Sequence, residues 1–136
     1  MVKQPVQVIM DSNAFFVPFQ FKIDIFDCLG QLLERNFELI FLSPIKRELE
    51  AIVKKGSPKM RKNAFSALKI ADKCKYFEVN IPAGILVDDI IVRMANKWKS
   101  PVFTNDRQLK KRLRDISVPV IYLRQKSRLD IDGLIS

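Results

Sequence analysis

Short apolar, β-branched runs alternate with helix-start signals along this chain, and that alternation limits the fold more than any other feature. Strands are predicted over 7–10 (QVIM), 38–42 (ELIFL), 76–79, 102–104 and 118–123. Helices are predicted over 25–33, from 43 onward, over 57–73, 87–99 and 106–115. Ser43-Pro44 and Ser57-Pro58 each read as an N-cap followed by proline at the first helical position. Pro82-Ala83-Gly84 reads as a loop. Strands separated by helices cannot return as hairpins, so they pair in parallel and are covered by helices on both faces. The expected class is α/β, with a central twisted parallel sheet of about five strands between two helical layers. No repeat, linker or low-complexity tract interrupts the 136 residues. A length below about 150 residues fits a single domain over 1–136.

The chain contains no histidine. That excludes Ser-His-Asp and Cys-His nucleophile systems, imidazole acid–base pairs and His-based zinc sites. Two cysteines, Cys28 and Cys74, cannot build a four-ligand zinc cage. They are expected to be buried, reduced thiols. Residues 1–10 lack the apolar region of a signal peptide, and no apolar run approaches the ~18 residues of a membrane span. A soluble, cytoplasmic protein with no membrane partner is expected.

The net charge of +9 is concentrated in two stretches. Lys54, Lys55, Lys59, Arg61, Lys62, Lys69, Lys73 and Lys75 stand against Asp72 alone within 54–75. Arg107, Lys110, Lys111, Arg112, Arg114, Arg124, Lys126 and Arg128 stand against Asp115 alone within 107–128. Two dense cationic segments on a slightly acidic body are the footprint of a polyanion binder, nucleic acid above all. The bland alternative is a pair of solvated helix faces. Tyr122, Phe15 and Phe19 are candidate stacking surfaces, although a core role fits Phe15 and Phe19 better.

Several carboxylates sit where the folding pattern does not require them. In α/β sheets, ligands gather at the carboxyl ends of strands. Asp11 directly follows the first predicted strand, and Asp106 follows the fourth within Thr104-Asn105-Asp106. Each could equally be a loop or helix cap. On the helix from 43, Ile45, Leu49, Ile52 and Val53 make the apolar stripe, and Glu48 lies roughly 85° from its centre. On the helix from 87, the stripe is Val87, Ile90, Ile91, Met94 and Trp98. Asp88 lies about 90° from its centre, whereas Asp89 points roughly 180° away. Glu48 and Asp88 therefore border the core, where an unpaired carboxylate is costly. Four such carboxylates without histidine point to a hard divalent cation, Mg²⁺ or Mn²⁺, as the compensating partner. Beside basic segments, that chemistry points to phosphodiester hydrolysis.

The same residues resemble the motifs of the PIN-domain nucleases. Val8-Ile9-Met10-Asp11-Ser12-Asn13 is similar to the family's opening strand and Asp-Thr/Ser-Asn turn, with Ser12 replacing the commoner threonine. Ser43 to Leu49 (SPIKREL), Val87-Asp88-Asp89-Ile90-Ile91 and Thr104 to Leu109 (TNDRQL) resemble the second, third and fourth motifs, in family order. The resemblance implies a PIN fold in which Asp11, Glu48, Asp88 and Asp106 are catalytic, with Asp11, Asp88 and Asp106 as direct or water-mediated metal ligands. Ser12, Asn13, Thr104 and Asn105 would orient that shell by hydrogen bonds, with the outward-facing Asp89 counted beside them. It further implies endonucleolytic cleavage of single-stranded RNA and, in many members, a homodimer.

Residues 17–26 and 120–129 look most like the branch related to the small-subunit processome nuclease, which is associated with ribosomal RNA precursor processing. The long basic N-terminal extension of eukaryotic members does not precede these motifs, so the chain looks archaeal. Two alternatives remain open. One is a VapC-type toxin ribonuclease silenced by an antitoxin, and the other is an RNA-binding scaffold without catalysis. A nucleotide-binding module is disfavoured, because neither G-x-G-x-x-G nor a Walker A loop occurs among the four glycines.

Overall fold

The first strand shows why this chain folds as it does. Val8, Ile9 and Met10 are all fully buried, as expected of a strand covered on both faces. A computed structural model describes residues 4–135. In chain order its elements are β1 (Val6–Met10), a 3-10 segment (Ser12–Phe16), α1 (Val17–Phe21), α2 (Ile25–Leu33), β2 (Phe37–Leu42), α3 (Ser43–Lys55), α4 (Pro58–Ala71), β3 (Lys75–Phe77), α5 (Val87–Trp98), β4 (Val102–Phe103), α6 (Arg107–Asp115), β5 (Val120–Arg124) and β6 (Arg128–Asp132).

The six strands lie in the order β3-β2-β1-β4-β5-β6. All neighbours are parallel except β5 and β6. The chain moves one way from β1 to β2 and the other way from β4 to β5. Right-handed crossovers in opposite directions place their helices on opposite faces and open a cleft between β1 and β4 at the carboxyl ends. The core follows the predicted stripes. Ile45 and Leu49 of α3, Ile90 and Ile91 of α5, and Leu109 and Leu113 of α6 are buried against the sheet. Phe15 is fully buried, so its ring presents no stacking face to a ligand, and Phe19 packs partly buried on the same core. Among the described residues, no helix is long and apolar enough to cross a membrane.

The structure corrects the sequence reading in several places. The sheet has six strands, not about five, and the sixth is antiparallel. Arg128-Leu129-Asp130-Ile131-Asp132 alternates polar and apolar residues, with Leu129 buried, which is the pattern of a half-buried strand. Its turn was hard to foresee. Gln125 and Lys126 both adopt left-handed backbone (φ 54° and 56°), positions where Asn-Gly is the usual signal.

Ser43 is not a cap. β2 runs into α3 without a loop, so Ser43 is already helical. Its hydroxyl accepts from the Val79 N–H (2.8 Å) and donates to the Val79 carbonyl (3.2 Å). With both backbone groups of Val79 satisfied by a side chain, β3 ends at Phe77 instead of extending to 79. Ser57, by contrast, caps α4 through the Met60 N–H. Cys28 and Cys74 are free thiols, half-buried rather than fully buried.

Candidate active site

Asp11 leaves the end of β1 as the cap of the 3-10 segment, and it is 95% shielded from solvent (5% exposed). Its carboxylate accepts three hydrogen bonds. The Ser12 N–H donates at 2.8 Å, the Thr104 hydroxyl at 2.6 Å and the Asn13 amide at 3.1 Å. Thr104, fully buried beyond β4, is the hub of this network. Besides donating to Asp11, its oxygen accepts from the Asp106 N–H (3.1 Å) and the Asn13 amide (3.4 Å). Asn105 extends it. Its N–H donates to the Asn13 side chain (3.0 Å), and its own side-chain oxygen accepts from the Leu123 N–H (2.8 Å) on β5. The ends of three adjacent strands are thus stitched together through two motifs whose bonded residues lie 91 to 93 positions apart in sequence.

Glu48 reaches this cluster from the second turn of α3, where its carboxylate accepts from the Ser12 hydroxyl at 2.9 Å. Asp88 enters from the first turn of α5. Asp106 caps α6, accepting from the N–H groups of Gln108 (2.8 Å) and Leu109 (3.1 Å) through one oxygen. The capping role and a place beside the cluster are therefore compatible.

The charges of these groups act on one another. Burial raises the Asp11 carboxyl above its ordinary pKa and the charge of Asp106 adds to that, while hydrogen bonds from Thr104, Ser12 and Asn13 partly offset them. Burial also raises Glu48, as do Asp11 and Asp88, against the Ser12 bond. Asp88 is raised by burial, then by Asp11 and Asp106, with Arg112 as its opposing cation. Like charges held together in a partly desolvated cleft mark a site awaiting a counter-charge. Among the described residues, no three acidic or thiol side chains stand in an arrangement that holds an ion directly. The donor set is nonetheless all oxygen, anionic and partly open to solvent. That suits a hard cation which keeps several waters and needs only one or two carboxylates.

Asp89 does not join the cluster. It accepts from the Leu86 N–H (3.1 Å) as an α5 cap and pairs with Arg112 of α6 (2.8 Å), and that guanidinium holds its carboxyl below the ordinary range. Sequence reasoning missed Arg112 as the cation facing Asp88 and Asp89. A pairing across 23 positions leaves no local signal.

The two basic segments differ in how far their charges are paired. Lys54 and Lys55 close α3, and Lys59, Arg61 and Lys62 open α4. All five are exposed, and none forms an ion pair among the described residues. In the second segment, Arg112 pairs with Asp89, Lys110 (3.6 Å) and Arg114 (3.3 Å) pair with Asp132, and Arg124 pairs with Asp130 (2.8 Å). Arg107, Lys111, Lys126 and Arg128 are exposed without such a partner among the described residues.

Comparison with known proteins places this arrangement. Residues 8–126 match the family described as PIN like domain. Ribonuclease VapC4 of Methanocaldococcus jannaschii is 30% identical over 95% of this chain and 98% of its own. Ribonuclease VapC9 of Archaeoglobus fulgidus is 28% identical over 93% of this chain and 89% of its own. Among solved structures, the PIN domain endonuclease Utp24 superposes with a TM-score of 0.77 at 27% identity, covering 97% of this chain and 95% of that one.

Proposed function

This chain belongs to the PIN-like domain family, and on that premise we propose that it is a Mg²⁺- or Mn²⁺-dependent endoribonuclease acting on single-stranded RNA. One observation carries the proposal. Carboxylates from four separate elements, Asp11, Glu48, Asp88 and Asp106, converge at the carboxyl ends of β1 and β4, where burial and the neighbouring negative charges raise the pKa of Asp11, Glu48 and Asp88. Asp11, Asp88 and Asp106 would hold the cation, directly or through water, and Glu48 would steady a ligand or water from α3. A bound divalent cation there supplies an activated water and stabilises charge on the phosphate, so no side-chain base is required. The chain's own residues do the positioning. Thr104, Ser12 and Asn13 fix both oxygens of Asp11, and Ser12 also fixes Glu48. The unpaired cations at the α3–α4 turn begin six residues beyond Glu48 on the same helix, about 9 Å along its axis. An RNA backbone can lie there while one phosphate occupies the cleft.

The test is incubation of single-stranded RNA with the protein in Mn²⁺ and in EDTA, beside an Asp11→Asn variant. Cleavage that needs the cation and disappears in the variant is expected. Absence of cleavage, with equal RNA binding by both proteins and no Mn²⁺-dependent rise in thermal midpoint, would overturn catalysis in favour of an RNA-binding scaffold.

For the natural substrate, ribosomal RNA precursor is the first reading, supported by the whole-chain likeness to Utp24. A toxin ribonuclease is the second, supported by the names of the VapC relatives. A small protein encoded directly upstream that co-purifies with this chain and blocks cleavage favours the second reading. Cutting of ribosomal RNA precursor at one site favours the first.

A further inference from the structure

Beside the carboxylates lies a hollow of about 360 Å³. Its walls include Asn105, Arg107, Lys110, Tyr122, Arg124 and Gln125, and no carboxylate lines it. It combines one aromatic ring, three cationic side chains and two amides, within the volume range of small-ligand pockets. The Lys110 ammonium sits over the Tyr122 ring, 3.7 Å from its centre, so one face of that ring already holds a cation in a hollow that both residues line. Lys110 is only loosely held from its other side, 3.6 Å from Asp132. Arg107 has no ion-pair partner among the described residues.

The hollow is also tied to the carboxylates. Asn105, which lines it, connects Asp11 through Asn13 to the Leu123 N–H, next to Tyr122. Thr104, the hub under Asp11, also lines it. A ligand held there has a fixed offset from the cleft.

We propose that this hollow is a subsite for one nucleotide next to the scissile phosphate, with its base on the Tyr122 ring and its phosphate between Arg107 and Lys110. The inference rests on the ribonuclease reading and adds where a neighbouring nucleotide is gripped. Stacking on an aromatic ring tolerates any base, while the cations grip the sugar-phosphate chain. On entry, the base takes the ring face that Lys110 now covers, and the displaced ammonium pairs with the nucleotide's phosphate. The subsite therefore selects for an unpaired base, because a base inside a duplex cannot present its face to Tyr122.

The experiment measures binding of a fluorescent single-stranded RNA octamer in EDTA, so it reads no cleavage. Wild-type protein is compared with Tyr122→Leu, which fills the space without a π face, and Tyr122→Phe, which keeps the ring. Thermal midpoints verify that both variants fold. Tyr122→Leu is expected to bind about tenfold more weakly, in the range of one lost stacking contact, and Tyr122→Phe within about twofold of wild type. An abasic nucleotide scanned along the octamer should reproduce the tenfold loss at one position, where Tyr122→Leu adds nothing further. Equal binding by wild type and Tyr122→Leu overturns the subsite, as does a leucine penalty that is the same at every abasic position. Adenosine monophosphate that competes at micromolar concentration overturns the RNA assignment in favour of a free-nucleotide site. A positive scan from a protein that fails the Asp11→Asn cleavage test leaves the subsite standing without the nuclease.

Discussion

Thr104→Val is the substitution that most directly probes how the carboxylates are held. Valine keeps the shape and removes the hydroxyl, and Thr104 is fully buried, so water cannot replace it. Two interactions dominate the cost. The 2.6 Å bond to Asp11 is made to an ionised group, and such bonds contribute about 1.5–3 kcal/mol. The Asp106 N–H loses its acceptor at 3.1 Å, which adds about 1 kcal/mol because that residue is exposed and water partly substitutes. The sum is about 2.5–4 kcal/mol, or about 8–12 °C in thermal midpoint for a domain of this size. Thr104→Ser keeps the hydroxyl and loses one methyl, at a cost of about 1 kcal/mol.

The pH dependence supplies an internal check. Asp11 titrates above the ordinary carboxylate range, and the Thr104 bond lowers its pKa, so the variant's Asp11 titrates higher still. The valine penalty should be complete where Asp11 is ionised and should shrink as pH falls through the folded-state pKa. Urea denaturation at pH 7 and at successively lower pH measures both. A loss below about 0.5 kcal/mol at neutral pH, or a penalty that does not shrink on acidification, refutes the assignment of Thr104 as the hub.

Three other outcomes are expected. Glu48→Gln keeps an acceptor for Ser12 while removing a charge that Asp11 and Asp88 repel, so thermal denaturation at pH 7 should show no loss of stability or a gain of up to about 1 kcal/mol. That gain should fade in acid, because a raised carboxyl pKa costs stability only above the unfolded-state value. Burial pushes the Cys74 thiol up to about 12, so iodoacetamide at pH 8.5 should leave it unmodified in the native protein and label it in urea, as read by peptide mass spectrometry. Replacing Lys54, Lys55 and Lys59 with glutamine should weaken RNA binding and flatten its salt dependence more than replacing Lys110, Lys111 and Arg112. The first set has no ion-pair partners among the described residues, whereas two of the second set already have them. Equal losses from the two triple variants, measured by salt titration, would contradict this.

The carboxylate motifs were legible because each announces itself locally. Asp11 and Asp106 follow strand ends, and Glu48 and Asp88 sit at the edges of apolar helical stripes, positions set by periods of two and 3.6 residues. The partners of surface charge have no such period. The helical angle of Asp89 points it to solvent, yet there it meets Arg112 from α6. Ser43 satisfied every sequence criterion for a cap and was displaced from that role because β2 enters α3 without a loop.

The basic segment at 107–128 shows how one missed strand propagates into a functional reading. Within that stretch Asp115 is the single acid against eight cations. The acids that neutralise three of them, Asp130 and Asp132, lie just beyond it on β6. The alternation of Arg128-Leu129-Asp130-Ile131-Asp132 was enough to place a strand there. An antiparallel return along β5 then sets Asp130 opposite Tyr122 and Asp132 opposite Val120, within reach of Arg124, Lys110 and Arg114. Charge density along a sequence measures attraction to a polyanion only after the sheet register is known. Here the register, together with the Arg112–Asp89 pair, halves the unpaired cations of the second segment and leaves those of the α3–α4 turn untouched. Arg107 stays without an ion-pair partner among the described residues in the hollow that Tyr122 lines, where the nucleotide subsite is proposed.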